Sequence, residues 1–260
     1  MSFIDWITSS YPNPSIDGRW GWLHITVLIL CIALIVAIAL IFRKRSEKSR
    51  RIILWVLVGL ILLFEIARRI INLCKTDDYS FHNLMYILLP RPWCAISCWS
   101  LIIAAIFNKR FLYNVSCYTS LLCSLVFFAY PGVGFNNVYI LFENLYSIAT
   151  HSLLLITSIS LITLKFTKFE YKTIWKELIC LAVILGYTFL EIFVLKIESD
   201  PMYFMPGNDI AEILNIPYAG FLVLYILFMI IYINAFYLID DRKNIFKKRK
   251  NNLENKPINN

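Results

Sequence analysis

The sequence predicts an all-α protein, a polytopic membrane helix bundle of about seven transmembrane helices with its N-terminus outside and its C-terminus in the cytoplasm. Three observations predict it. The 260 residues are 59% hydrophobic and 16% charged, with mean hydropathy +0.67, whereas a soluble domain carries roughly 25% charge. Seven apolar runs, near 21–42, 52–74, 83–107, 111–130, 138–164, 174–195 and 219–239, approach the roughly 20 residues a helix needs to cross a hydrocarbon core of about 30 Å. The connections between them alternate in charge, crossing by crossing.

Residues 1–20 hold Asp5, Asp17 and two prolines instead of a basic flank and an apolar core. They predict a short external segment and no cleavable signal peptide, so the run at 21–42 serves as the insertion signal. RKRSEKSRR (43–51) is strongly basic and follows it on the inside. The run at 52–74 returns outward to KTDDYSFH (75–82), which is weakly acidic. The third run, 83–107, is interrupted by Pro90 and Pro92 and ends at the basic NKR (108–110). After 111–130 comes the neutral PGVGFNN, and after 138–164 the basic stretch 165–173. The run at 174–195 leads to the longest connection, 196–218, which is acidic and mixes Pro, Gly and Asn with aromatic and Met residues. That loop is either an external lid or a plain connection with interfacial aromatics. The last run leads to a basic, polar segment, 241–260, that reads as a disordered extension touching lipid headgroups. Basic loops belong in the cytoplasm, which orients the chain. No repeat or composition shift divides residues 21–240, which are taken as one transmembrane domain.

Seven cysteines (Cys31, Cys74, Cys94, Cys98, Cys117, Cys123, Cys180) are irregularly spaced and sit mostly inside apolar runs. They form neither a secreted disulfide framework nor a zinc pattern. Cys94 and Cys98 share a helical face, but two sulfurs without further ligands are a weak metal signal. No metal and no cofactor is expected. A net charge of +8 invites a nucleic-acid reading, yet the cations cluster in short loops beside apolar segments, so anionic membrane lipids are the expected partner and nucleic acid is not. The localisation that follows is a multi-pass protein of the cell membrane.

Ionisable groups inside spanning segments are costly unless they face a cavity or a partner, so their depth carries the functional information. Glu65, Arg68, Arg69, Arg91, Cys94, Asn144, His151, Thr188 and Glu191 fall at or above the midplane, on four helices. The cytoplasmic half carries almost no charge. This asymmetry predicts a polar cavity open outward, with guanidinium groups for a phosphate or carboxylate. Glu65, Arg68, Arg69, Arg91, Asn144 and Glu191 are the candidate substrate-binding residues. The Glu65/Arg69 spacing of i,i+4 also permits simple mutual neutralisation.

In LLPRPWC (88–94) the prolines remove two amide donors and disfavour helix at the residues before them. Cys94 then falls in the first regular turn after the break, where helix N-terminal amides favour a thiolate or an oxyanion. Taken straight, the third and fifth spans put Cys94 and His151 roughly 18 and 21 Å from their outer ends. Matched depth on two helices of one direction fits a Cys–His pair, with Ser147 and Asn144 on the histidine's face to orient the ring. The plainer alternatives are an inert cysteine in a kinked helix and an interhelical hydrogen-bonding histidine.

The segments LLPRPWCAISCWSL (88–101), FNNVYILFENLYSIATHSLLL (135–155), KFEYKTIWKEL (168–178) and SDPMYFMPG (199–207) resemble the YwaF-type bacterial integral membrane family. That family has an LPLHLC-type segment, a helix with a Ser-His or Thr-His pair, and a late Tyr-Met-rich external loop. The resemblance spans roughly residues 50–240. It implies kinship with eukaryotic acyltransferases acting on phospholipids and, more distantly, with the androgen-induced class of membrane lipid hydrolases. By that resemblance Cys94 corresponds to the cysteine of the LPLHLC segment and His151 to the histidine of the fifth helix. One departure stands out: the segment's own histidine is Pro92 here, preceded by Arg91, so whatever that histidine contributes to chemistry or lipid positioning is altered.

The function expected is a membrane-embedded lipid acyltransferase or hydrolase, with Cys94 as nucleophile and His151 as general base. A transporter or substrate-binding membrane subunit using the same cavity is the alternative.

Overall fold

The computed structural model describes residues 2–9, 12–16, 18, 20–91, 93–130, 134–197 and 215–240. The extension at 241–260, most of the external loop at 196–218 and Pro92 lie outside the described residues. Nine helices appear among the described ones: α1 (Phe3–Ile7), α2 (Trp22–Phe42), α3 (Glu47–Lys75), α4 (Phe81–Leu88), α5 (Trp93–Phe107), α6 (Arg110–Ala129), α7 (Phe142–Thr163), α8 (Ile174–Phe189) and α9 (Tyr218–Asp240). A 3₁₀ turn, Tyr171–Thr173, precedes α8, and a π-helical turn, Leu190–Leu195, continues it.

Helices α2, α6, α7, α8 with its flanking turns, and α9 are each long and apolar enough to cross a membrane, and α4 with α5 makes a sixth if that bent pair is one span. The pair is bent by 64°. That bend corrects the depth reckoned for Cys94 along a straight helix, since the eight residues of α4 contribute little to it. Helix α3 has the length to cross, about 44 Å at 1.5 Å per residue, but with Glu65, Arg68 and Arg69 it carries more charge than the apolar spans do.

Packing follows polarity. Helices α6 and α7 form the centre, each packed on the other, with α5 and α8 against α6 and with α2 and α3 against α7. Both are rich in small buried residues, Ser116, Cys117, Thr119, Ser120 and Ser124 on α6 and Ser147, Thr150, Thr157, Ser158 and Ser160 on α7, and Cys117 Sγ meets Ser158 O between them. Without a hydrophobic drive between helices in lipid, such residues allow the close approach from which association comes. Helices α2, α8 and α9 turn Leu40, Val183 and Ile231 outward as a lipid-facing surface.

The N-terminal segment is tied to the end of this core where α7 begins. Ile16 N–H donates to Asn136 O (2.8 Å), Val138 N–H to Pro14 O (3.1 Å) and the Trp6 indole to Ile140 O (2.8 Å). At Gly18 a Cβ would stand 1.6 Å from Phe135 O, so only glycine permits this approach.

The end of the bundle opposite Glu65, Arg68 and Arg69 also holds a buried charge, which departs from the expected asymmetry. Glu177, in the first turn of α8, is 1% exposed. Its carboxylate accepts from Asn114 Nδ2 (2.8 Å) and from the Tyr237 hydroxyl, and Asn114 also binds Lys168 O (2.8 Å) and the Lys168 amide (3.1 Å). One buried acid thereby joins α6, α8 and α9.

Candidate functional site

The last turns of α3 carry Glu65, Arg68 and Arg69 into the gap at the α4–α5 break. Glu65 is fully buried. One carboxylate oxygen pairs with Arg69 Nη1 and the other accepts the Tyr146 hydroxyl from α7. Arg69 also donates through Nε to Leu88 O (2.9 Å) and through Nη1 to Glu65 O (2.9 Å). Arg68 Nη2 reaches Arg91 O at 3.4 Å. Carbonyls at a break in a membrane helix need new donors, and these arginines supply them.

Arg91 lies over the Tyr86 ring (3.2 Å), donates through Nε to Tyr86 O (2.7 Å) and through Nη1 to Ile197 O (3.3 Å). Glu191, fully buried in the π-helical turn, accepts from the Tyr187 hydroxyl (2.8 Å). Tyr187 feels the charges of both Arg69 and Arg91. Glu65, Arg69, Arg91 and Glu191 are thus deeply buried, and Glu65 and Arg69 are matched to one another. Arg68 differs. It is half-buried, sits 5.1 Å over the Tyr146 ring, forms no ion pair among the described residues, and keeps a buried Nε without a partner. Arg69 Nη2 is a second buried donor without one. Two unspent guanidinium donors are what a phosphate or carboxylate would take.

Cys94 occupies the first turn of α5 and is half-buried. The Cys123 thiol of α6, the His151 imidazole of α7 and the Arg68 guanidinium are its electrostatic neighbours. Cys98, one turn further along α5, is fully buried. His151 is held from two sides. Its Nδ1 stands 2.7 Å from Ser147 O; a carbonyl only accepts, so Nδ1 carries a proton, and in the neutral ring the lone pair is on Nε2. Phe127 stacks on the ring at 3.9 Å and 7°. A ring fixed in tautomer and plane is ready to take a proton without reorganising.

Two orienting roles differ from the expectation. The backbone of Ser147, not its hydroxyl, holds the imidazole, because the residue four earlier on a helix presents its carbonyl along the axis. Asn144 turns away: its side chain accepts from Leu141 N–H (3.3 Å) and donates to Asn137 Oδ1 (3.1 Å), closing the start of α7. Sequence reasoning passed over Cys123, Phe127, Tyr146 and Tyr187. Tyr146 follows Asn144 on the same helix and was open to discovery by asking what satisfies Glu65. Among the described residues, no three His, Cys, Asp or Glu side chains gather in a geometry that holds a metal ion.

The model of the TMEM164 family matches residues 19–240. No curated protein and no solved structure matches the chain. The matched span takes in every residue of the polar cluster and both chemical groups at its centre.

Proposed function

The chain belongs to the TMEM164 family, and from that premise we propose that it is a membrane-embedded lipid acyltransferase or hydrolase working through Cys94 and His151. The single observation that supports this reading is the His151 imidazole, oriented by Ser147 O, among the electrostatic neighbours of the Cys94 thiol. The YwaF-type likeness, with its implied acyl chemistry, points the same way.

His151 Nε2 takes the thiol proton while the sulfur attacks the ester carbonyl, and the oxyanion forms toward the open amides at the start of α5. Collapse expels the lysolipid alkoxide, which takes the proton back from the imidazolium, and leaves a thioester on Cys94. A second lipid hydroxyl or water then attacks the thioester, with His151 again as base. Arg68 holds the lipid phosphate. Glu65 and Tyr146 fix the surroundings of that guanidinium. Arg91 and Glu191 hold the α8 end against the α4–α5 break.

Purified protein incubated with an acyl-labelled phospholipid is expected to acquire hydroxylamine-labile label at Cys94, and Cys94→Ala none. Equal label on both would sink the acyl-enzyme. The bent α4–α5 pair also favours a second reading, since broken helices at membrane depth are a transporter feature; solute uptake that survives Cys94→Ala would support it.

The same proposal takes α3 as a seventh crossing in the cell membrane, N-terminus outside. Cys74 is exposed near the end of α3. A membrane-impermeant maleimide applied to intact cells is expected to label it, and labelling only after permeabilisation would invert the topology.

A further inference from the structure

The backbones of helices α8 and α9 stand apart over most of their length, though Glu177 and Tyr237 join them at one end. Between them lies a cleft of about 210 Å³, walled by Leu181 and Ile184 of α8 and by Ile226, Met229 and Ile230 of α9. Leu185 of α8 and Tyr225 and Ile233 of α9 also line it, and α5 contributes Trp93, the residue before Cys94. The Trp93 indole N–H donates to Thr119 O (3.3 Å), which pins this wall to α6. Ile226 and Ile230 are about half exposed, so the cleft opens sideways toward the bilayer.

Depth and composition decide what fits. Leu181 lies seven residues from the start of α8, roughly 10 Å along its axis, and the Met229 level is some 17 Å along α9. Both fall in the middle of a hydrocarbon core about 30 Å thick. Helices that dock in membranes meet through small residues, and no Gly, Ala, Ser or Thr lines this cleft. A helix about 10 Å across does not enter so narrow a space. A single hydrocarbon chain does.

We propose that this cleft is an acyl-chain site, in which a membrane phospholipid lays one chain between α8 and α9 with its ester end past Trp93 at Cys94. The assignment rests on the acyl-transfer reading for its link to the thiol. It adds a lateral entry for substrate and makes Trp93 the residue that limits chain bulk.

The test separates the site from the chemistry. Full-length Cys94→Ala protein in phosphatidylcholine nanodiscs is photolysed with a phosphatidylcholine carrying a mid-chain diazirine, and adducts are mapped by mass spectrometry. Adducts are expected to concentrate at Leu181, Met229 and Ile230 over Leu40, a lipid-facing residue of α2 that is 77% exposed. Filling the cleft with Met229→Trp, or separately with Ile184→Trp, is expected to lower them about tenfold, the equivalent of 1.4 kcal/mol, and to spare Leu40. Adducts spread evenly, or unchanged by both fillings, mean ordinary boundary lipid and overturn the site. A cleft that labels as expected while wild-type Cys94 never acquires acyl label would retain the site and refute the transfer reading. In active protein, Trp93→Ala is expected to shift acyl preference toward bulkier chains.

Discussion

In His151→Ala, transfer of an acyl group onto Cys94 is expected to slow by about 10²–10⁴-fold at neutral pH, the range a positioned general base contributes. The loss is expected to shrink as pH rises into the range where a free thiol ionises by itself, because hydroxide then does the work of the imidazole. A wild-type profile flat over the same range completes the comparison. The measurement is the initial rate of hydroxylamine-labile label from an acyl-labelled phospholipid, taken at several pH values for both proteins. A uniform loss with no recovery at high pH would assign His151 to packing on Phe127, since truncation of a stacked ring damages the fold equally at every pH. Ser147 gives a control from the opposite direction. Its carbonyl holds Nδ1, so Ser147→Ala keeps that acceptor and is expected to retain the wild-type profile.

The helices were legible because a run of apolar residues of spanning length has few alternatives in lipid. Helix α2 begins and ends within a residue of the predicted 21–42. Where the prediction departs, a backbone partner explains it. Helix α7 starts at Phe142 and not at 138, because Asn136 and Val138 bond to the N-terminal segment. The predicted break at Pro90 is present, but its consequence, a 64° bend, depends on how Arg68 and Arg69 occupy the freed carbonyls.

The site was legible in part for a physical reason. Depth follows from counting along one helix, so residues at similar level can be nominated together. Contact also needs the rotational phase of each helix and the identity of its neighbours, which a single sequence does not carry. Cys123 illustrates the loss: inside an apolar run it looks like one more small core residue, and only the packing of α5 on α6 makes it a neighbour of Cys94. Glu177 illustrates another. Its partners Asn114 and Tyr237 stand 63 and 60 residues away, so nothing near it in sequence marked it as buried.

Replacing Glu65 by Leu is expected to cost about 3–5 kcal/mol of stability, because it leaves Arg69 charged and buried beside apolar neighbours. Arg69 is 8% exposed, and Glu65 is its sole ion-pair partner among the described residues. The Tyr146 hydroxyl loses its acceptor in the same substitution. If the pair serves the fold, the double variant Glu65→Leu/Arg69→Met recovers a large part of that cost, since two apolar groups of similar size leave no buried charge. Recovery stays incomplete, because Leu88 O then lacks the donor that Arg69 Nε supplied across the α4–α5 break. Denaturant titration of the four proteins of this cycle in micelles measures the coupling. Additive losses would show that Glu65 and Arg69 are not one structural unit and would return Glu65 to the list of ligand-binding groups. The acyl-transfer reading predicts coupling: holding Glu65 within the Arg69 and Tyr146 contacts leaves Arg68 as the cation free to meet a lipid phosphate.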